Sequence, residues 1–224
     1  MLKIQSFLIL ILSMSTHSFA TTWTVDDDGV DFPDADFDNI QDAIDVAVDG
    51  DIVNVYPGTY TSIDTQVVNM LGKEIFLQSV IDASETIIDG EGTRTGIYCN
   101  SGETLKTVIS RFTITNCTGN AGGGVYCWQA DPIISECVFY GNQASNGGGI
   151  SCGLSNPQIS SCSFVGNTAS DYGGGIHCYS SSPALSNCSF EYNTATRGAG
   201  IFFSLSNPLL ADCYFLSNSA SHSG

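Results

Sequence analysis

The feature of this sequence that most constrains its fold is a repeat of 25 or 26 residues in its C-terminal half. Four consecutive units begin at Gly122, Gly147, Gly173 and Gly198, each within a cluster of small residues. Apolar residues occupy alternate positions in each unit, which is typical of short strands with one buried face. No part of the unit has a 3.6-residue apolar stripe, so a helical solenoid is excluded. Because a short strand cannot bury its face alone, neighbouring units must stack.

Stacking of these units predicts a parallel β-helix with three short strands per coil and equivalent residues ~4.8 Å apart in adjacent coils. One column of asparagines is predicted to form a buried amide ladder between coils. One column of phenylalanines is predicted to form an apolar stack. The asparagines are Asn142, Asn167, Asn193 and Asn218, and the phenylalanines are Phe139, Phe164, Phe190 and Phe215.

Seven of the nine cysteines fall into two inward-facing columns, which are Cys127, Cys152 and Cys178, and Cys137, Cys162, Cys188 and Cys213. The alternatives are stacked buried thiols, a disulfide framework or a metal site. Stacked thiols are favoured, because side chains ~4.8 Å apart do not reach the Cβ–Cβ distance of about 3.8 Å in a disulfide without distortion. No Cys/His cluster in the sequence offers four zinc ligands.

Residues 1–20 are predicted to be a signal peptide, because Lys3 precedes a short apolar run, Phe7–Met14, and small residues lead to a cleavage point after Ala20. That run is too short to span a bilayer. No other segment is apolar over about 18 residues, so no transmembrane segment is expected. Residues 21–95 are predicted to form an N-terminal cap and the first coils, and residues 96–224 the regular repeats.

The N-terminal part is predicted to contain one short helix. Apolar residues spaced by three and four positions predict an amphipathic helix over Asp36–Val48, ended by Gly50. This helix would cover the open edge of the first coil. Strands are predicted at Trp23–Val25, Ile52–Tyr56, Thr59–Tyr60, Glu74–Gln78, Thr86–Ile88 and Thr107–Ile114. The predicted fold class is therefore all-β, a parallel β-helix with a short N-terminal capping helix.

The charge balance excludes one class of partner. The chain has 6 Lys+Arg against 23 Asp+Glu and a formal net charge of −17. An electrostatic nucleic-acid binder needs a basic face, and so does a protein that docks on anionic lipid. No nucleic-acid partner is therefore expected.

Two segments of the sequence carry a family resemblance. FDNIQDAIDVAVDGDIVNVYPGTY, Phe37–Tyr60, resembles the opening of right-handed parallel β-helix proteins of the pectin-lyase-like superfamily. The GGGI and FxxN pairs, Gly147–Ile150 with Phe164–Asn167 and Gly173–Ile176 with Phe190–Asn193, resemble the repeats of polymorphic outer membrane proteins.

This resemblance implies right-handed winding, export, and a secreted or cell-surface location such as the bacterial outer membrane. Members of the surface group usually continue into a C-terminal barrel or sorting segment. This chain stops at Gly224, where a fifth unit would begin, so we expect a truncated C-terminus. An uncovered last coil would then favour end-to-end self-association.

The superfamily also contains pectate lyases and polygalacturonases, but their signature motifs are absent here. The best candidate catalytic cluster is Asp82, Glu85, Asp89, Glu91 and Arg94, which two acidic turns explain better. His177, next to Cys178, occupies an outward-facing position, so a solvated surface residue is a better interpretation than a catalytic base. We therefore expect no catalytic residues, and keep a polysaccharide lyase or glycoside hydrolase as the alternative.

Two acidic segments resemble parts of calcium-binding loops. They are Asp26–Gly29 and the alternating acids Asp34, Asp36 and Asp38. Neither has the full ligand spacing of a calcium loop, so acidity at a helix start and solvation explain them better. No cofactor or metal is expected, and calcium is only a weak alternative.

Outward-facing aromatic residues suggest a binding role. Trp128, Tyr140 and Tyr179 occupy repeat positions whose residue type varies from unit to unit. They could stack on sugar rings, or they are isolated exposed aromatic residues. We expect a secreted or cell-surface β-helix protein with a structural or adhesive role. Its expected partner is a polysaccharide or another cell-surface ligand.

Overall fold

The computed structural model describes residues 20–222 and confirms an all-β parallel solenoid with one short helix. Each strand pairs in parallel with the equivalent strand of the next coil, so Val125 lies between Ile97 and Ile150. In this part of the chain no helix is long and apolar enough to cross a membrane. The predicted signal peptide lies outside the described residues, apart from Ala20.

Two of the four sheets, A and B, run from the first coils to the last described coil. All strands are numbered in chain order. Sheet A contains β1 (Thr22–Val25), β2 (Ile52–Val55), β5 (Phe76–Ser79), β8 (Val108–Ser110), β12 (Ile133–Ser135), β16 (Gln158–Ser160), β20 (Ala184–Ser186) and β24 (Leu209–Ala211). Sheet B contains β3 (Gly58–Tyr60), β6 (Thr86–Asp89), β9 (Thr113–Thr115), β13 (Val138–Tyr140), β17 (Ser163–Val165), β21 (Ser189–Glu191) and β25 (Tyr214–Leu216).

The remaining strands form two shorter sheets. Sheet C contains β4 (Gln66–Asn69), β7 (Thr95–Cys99), β11 (Val125–Trp128), β15 (Ile150–Gly153), β19 (Ile176–Tyr179) and β23 (Ile201–Ser204). Sheet D contains β10 (Thr118–Ala121), β14 (Gln143–Asn146), β18 (Thr168–Tyr172), β22 (Thr194–Ala195) and β26 (Ser219–Ala220). A coil of the repeat region therefore runs through sheets A, B, D and C in turn.

The prediction of three strands per coil is wrong for the repeat region, where each coil has four. The chain turns at a residue with positive φ after each strand, as at Leu154, Ser161, Gly166 and Gly173 in one coil. Four such corners produce four strands. The predicted strand Thr107–Ile114 divides for the same reason, because Arg111 has a φ of 63° and separates β8 from β9.

The N-terminal helix α1 spans Ile40–Val46, so the prediction of Asp36–Val48 was too long at both ends. The residues just before it are not helical because Phe37 bonds to β1: its N–H donates to Thr24 O, and its carbonyl accepts from Asp26 N–H. Asn39 caps the helix by accepting a hydrogen bond from the Asp42 N–H at 2.8 Å. The helix buries Ile40, Ala43 and Ile44 against the first coil.

The core of the solenoid consists of columns of identical side chains. The four predicted phenylalanines stack with ring centroids 4.7, 4.7 and 4.8 Å apart and nearly parallel ring planes. Beside them, the four asparagines form the amide ladder. Asn142 Nδ2 donates to Asn167 Oδ1 at 3.1 Å, Asn167 Nδ2 to Asn193 Oδ1 at 3.0 Å, and Asn193 Nδ2 to Asn218 Oδ1 at 2.9 Å.

The nine cysteines are free thiols in the structure, and all except the half-exposed Cys213 are buried. Cys127 pairs in register with Cys152, and Cys152 with Cys178. In the second column each thiol donates to the carbonyl two residues earlier, as Cys162 Sγ does to Ser160 O at 3.3 Å. The buried cysteines therefore act as small apolar groups, and in the second column their weak donors are satisfied locally.

Candidate functional site

The outer side of sheet C carries a cluster of aromatic side chains, which we call the aromatic face. Strand register places Tyr98, Tyr126, Ser151, His177 and Phe202 side by side along successive coils. Because alternate residues of a strand point to opposite sides, these positions face outward while their neighbours enter the core. The members of the aromatic face are Tyr98, Tyr126, Trp128, Tyr172, His177, Tyr179 and Phe202.

A groove crosses the aromatic face at Gly153, which lies in register between Trp128 and Tyr179. Trp128 is 37 % exposed and Tyr179 is 44 % exposed. A Cβ atom on Gly153 would lie only 2.4 Å from Trp128 Cε3, so the glycine lets the indole ring lie across the next coil. The groove has a volume of about 280 Å³, and the strands that carry Trp128 and Tyr179 are two strand spacings apart, about 9.5 Å.

Tyr172 extends the aromatic face beyond sheet C. It ends β18, where the pairing of sheet D shifts register after Ala144. The Tyr172 ring stacks on Phe202 with centroids 4.5 Å apart, and the Arg197 guanidinium lies 5.8 Å above the Tyr172 ring. Tyr172 is the extra residue of the 26-residue unit that begins at Gly147, and its ring adds to the aromatic face.

His177 faces outward, as its position in the repeat predicts, but it is half-buried among the rings of the aromatic face and not fully solvated. Its ring lies 6.0 Å from those of both Tyr172 and Phe202. Burial lowers the pKa of the His177 imidazole below its ordinary value, so the ring is neutral at pH 7. Its Nδ1 lies 3.3 Å from Ser151 Oγ, which leaves Nε2 for another partner.

The groove offers stacking surfaces and neutral hydrogen-bonding groups. Among the described residues that line it there is no carboxylate, lysine or arginine. The Oδ1 atom of Asn146, one of the lining residues, is buried and accepts no hydrogen bond from the described protein atoms. This oxygen is closed off from the groove, so the polar groups that a ligand could meet there are the His177 ring and the Ser151 hydroxyl.

The structure brings two of the three predicted stacking residues together. Trp128 and Tyr179 border the groove, whereas Tyr140 ends β13 on sheet B and is not part of the aromatic face. The sequence reasoning missed Tyr126, Phe202 and Tyr172. The first two occupy the same repeat position as His177, so a comparison of that outward column could have found them.

The candidate catalytic residues occupy two separate turns. Asp82 and Glu85 precede β6, and Glu91 and Arg94 follow it, so the strand separates the two pairs. Arg94 Nη1 forms an ion pair with Glu91 Oε2 at 2.5 Å, and its Nε donates to Asp64 O at 3.0 Å. Four of the five candidates therefore lie in the segments on either side of β6, and Asp89 is the last residue of that strand.

The acidic N-terminal segments have different surroundings. Asp36 Oδ2 accepts from the Thr24 hydroxyl at 2.7 Å, and Asp38 Oδ1 accepts from Asn39 Nδ2 at 3.1 Å. A different trio, Asp26, Asp28 and Asp31, places one carboxylate oxygen from each residue within 4.8 Å of the others. Of the described residues, only these three are grouped in a way that could hold a metal ion.

Parallel pairing in four sheets and repeating buried columns define a β-solenoid protein. The chain belongs to the right-handed beta helix family, whose model matches residues 79–224 and is described as a right handed beta helix region. This match supplies the right-handed winding of the predicted fold. Searches of the curated proteins and of the solved structures return no match.

Proposed function

We propose that this protein is a secreted or cell-surface β-helix protein with an adhesive role, and that its aromatic face binds a neutral polysaccharide. The observation that carries the proposal is the groove bordered by Trp128 and Tyr179, where Gly153 lets the Trp128 indole lie flat across the neighbouring coil. Sugar rings present apolar C–H faces that stack on aromatic rings, and their hydroxyls pair with neutral polar groups. The His177 ring, with Nε2 available, is the group in place for those hydroxyls.

The negative charge of the protein favours a neutral polysaccharide over an acidic one. The formal net charge is −17, and the groove lacks a lysine or arginine to pair with a uronate carboxylate. Like charges repel over a distance of about 10 Å at moderate salt, so acidic polysaccharides are disfavoured. A neutral glycan pays no such cost.

We also propose that the protein is related to the pectin-lyase-like superfamily and is exported from the cell. The opening segment Phe37–Tyr60 and the GGGI and FxxN pairs support a place near the pectin-lyase-like superfamily and the polymorphic outer membrane repeats. Such relatives are exported, and the predicted signal peptide fits that route. Display outside the cell would give the aromatic face access to polysaccharide.

The test is affinity electrophoresis of the purified protein in gels that contain a neutral glucan, a galactomannan or polygalacturonate. We expect retardation by a neutral polysaccharide and a loss of about tenfold or more in affinity for Trp128→Ala, which corresponds to about 1.4 kcal/mol. Tyr140→Ala is the matched control, because Tyr140 is an exposed aromatic residue on sheet B. Equal losses in both variants, or no retardation by any neutral polysaccharide, would contradict the proposal.

A separate assay of the polysaccharide products distinguishes binding from the enzymatic alternative. We expect the recovered polysaccharides to keep their chain length after incubation with the protein. A calcium-dependent rise in absorbance from unsaturated products of polygalacturonate, abolished by Arg94→Ala, would instead favour a lyase.

A further inference from the structure

The loop between β1 and α1 is anchored at both ends on the first coil. Asp26 follows Val25, the last residue of β1, and Phe37 returns to bond beside the same strand. Phe32, near the middle of the loop, stacks on Tyr56 with ring centroids 4.5 Å apart. The loop therefore has a defined path, along which the carboxylates of Asp26, Asp28 and Asp31 converge.

The buried side chain of Asp26 is an independent sign of a ligand at this point. Asp26 is only 3 % exposed. Its Oδ2 accepts a hydrogen bond from the Phe32 N–H at 2.5 Å, but its Oδ1 is buried and has no partner among the described protein atoms. A buried carboxylate needs pairing or metal coordination to offset its lost hydration, and two other carboxylates converge here.

The basic side chains of the described region are all engaged elsewhere. Their partners are Ile44 O and Asp45 O for Lys73, Glu91 for Arg94, Glu74 for Lys106, Gln78 for Arg111, and Tyr172 for Arg197. Burial raises the pKa of the nearby Tyr60, and the Asp27 and Asp26 carboxylates raise it further. A cation is the group that would balance this site.

We propose that Asp26, Asp28 and Asp31 bind a calcium ion that fastens the loop to the first coil. The donors are all carboxylate oxygens, which hard divalent cations prefer, and calcium accepts irregular geometry completed by water or carbonyl oxygens. Asp27 has a separate task, because its Oδ2 accepts from the Thr59 N–H at 2.9 Å and so ties the loop to β3. The site is distinct from the aromatic face.

The test is thermal unfolding of the full chain in CaCl₂, in EDTA, and in NaCl at matched ionic strength. At a calcium concentration ~100 times the dissociation constant, we expect the unfolding midpoint to rise by about 5 °C or more above the NaCl value. Asp28→Asn and Asp31→Asn should abolish this rise, and calorimetric titration with CaCl₂ should detect one site in the parent and none in these variants.

Asp34→Asn is the matched control, because Asp34 is exposed on the same loop but outside the trio. It removes the same charge and should keep the calcium-dependent rise. In EDTA the Asp28→Asn variant should unfold at the parent temperature or above it, because one of three repelling carboxylates is gone. An equal response to NaCl and CaCl₂, or an equal loss in Asp34→Asn, would overturn the site and indicate only charge screening.

Discussion

At the scale of single residues, the fold depends on buried polar groups that satisfy one another. Asn167 is fully buried, and its Oδ1 accepts from both the backbone N–H and Nδ2 of Asn142. Its own Nδ2 donates to Phe139 O at 2.9 Å as well as to Asn193. One asparagine therefore satisfies groups on two neighbouring coils, and no shorter side chain can reach them.

We predict that Asn167→Ala destabilises the protein by about 1–3 kcal/mol for each buried group left unpaired. The physical reason is that Asn142 N–H and Phe139 O lose their partners where water does not reach. The measurement is the free energy of unfolding from urea denaturation. Asn218→Ala, at a half-exposed rung, should cost less because water can replace its hydrogen bonds. An equal cost at both positions would count against the ladder as a buried element.

At the scale of the strand and its corners, small residues let adjacent coils approach. Gly149 precedes β15, and a Cβ atom there would lie 2.6 Å from Gly175 O and 2.8 Å from Phe164 Cδ1. Gly166 has a different role, because its φ is +64° and nothing lies within 4 Å of its missing Cβ. In later coils Tyr192 and Ser217 occupy the same corner with positive φ.

We predict that substitution of these two glycines destabilises the protein to different extents. Gly149→Ala should destabilise the protein by about 1–3 kcal/mol, because the added methyl forces the coils or the phenylalanine stack apart. Gly166→Ala should cost only about 1 kcal/mol of backbone strain. Urea denaturation of both variants checks the order. A larger cost for Gly166→Ala would mean that backbone conformation, and not close approach, limits these positions.

At the scale of the whole molecule, charge and apolar surface lie at opposite ends. Eleven of the 23 acidic residues lie within Asp26–Asp51, whereas the unit from Gly198 contains only Asp212. The last described coil also exposes positions that are buried elsewhere, since Phe215 is 46 % exposed and Phe190 is 0 %. Repulsion is therefore weakest where apolar surface and unpaired strand edges are greatest.

We predict that a protein with the printed sequence associates through this coil at about tens of micromolar. Light scattering after gel filtration measures the mass, and Leu210→Glu with Phe215→Glu should return the protein to a monomer. Val138→Glu with Tyr140→Glu makes the same charge change on the side of the solenoid and should leave association unchanged. A parent protein that stays monomeric would show that the exposed coil does not associate.

Much of the fold follows from local pattern in the sequence. The repeat length, the inward columns and the amide ladder could be predicted because each coil places the same residue type in the same surroundings. The fourth strand could not. Thr118–Ala121 has no apolar alternation, and of the four corners in a coil only the one at Gly122, Gly147, Gly173 and Gly198 is always glycine. Corners such as Glu136 and Ser161 adopt positive φ only because the stacked coils impose it.

For the two candidate sites, the sequence predicted less than it did for the fold. The sequence by itself determined that Trp128 and Tyr179 face outward, since strand parity is a local property. Only the tertiary structure decided that Tyr172 joins them, that His177 is half-buried, and that Asp31 meets Asp26. These relations depend on how one coil lies against the next and on the path of an irregular loop. Residue spacing does not encode that path, because contacts between distant segments of the chain determine it.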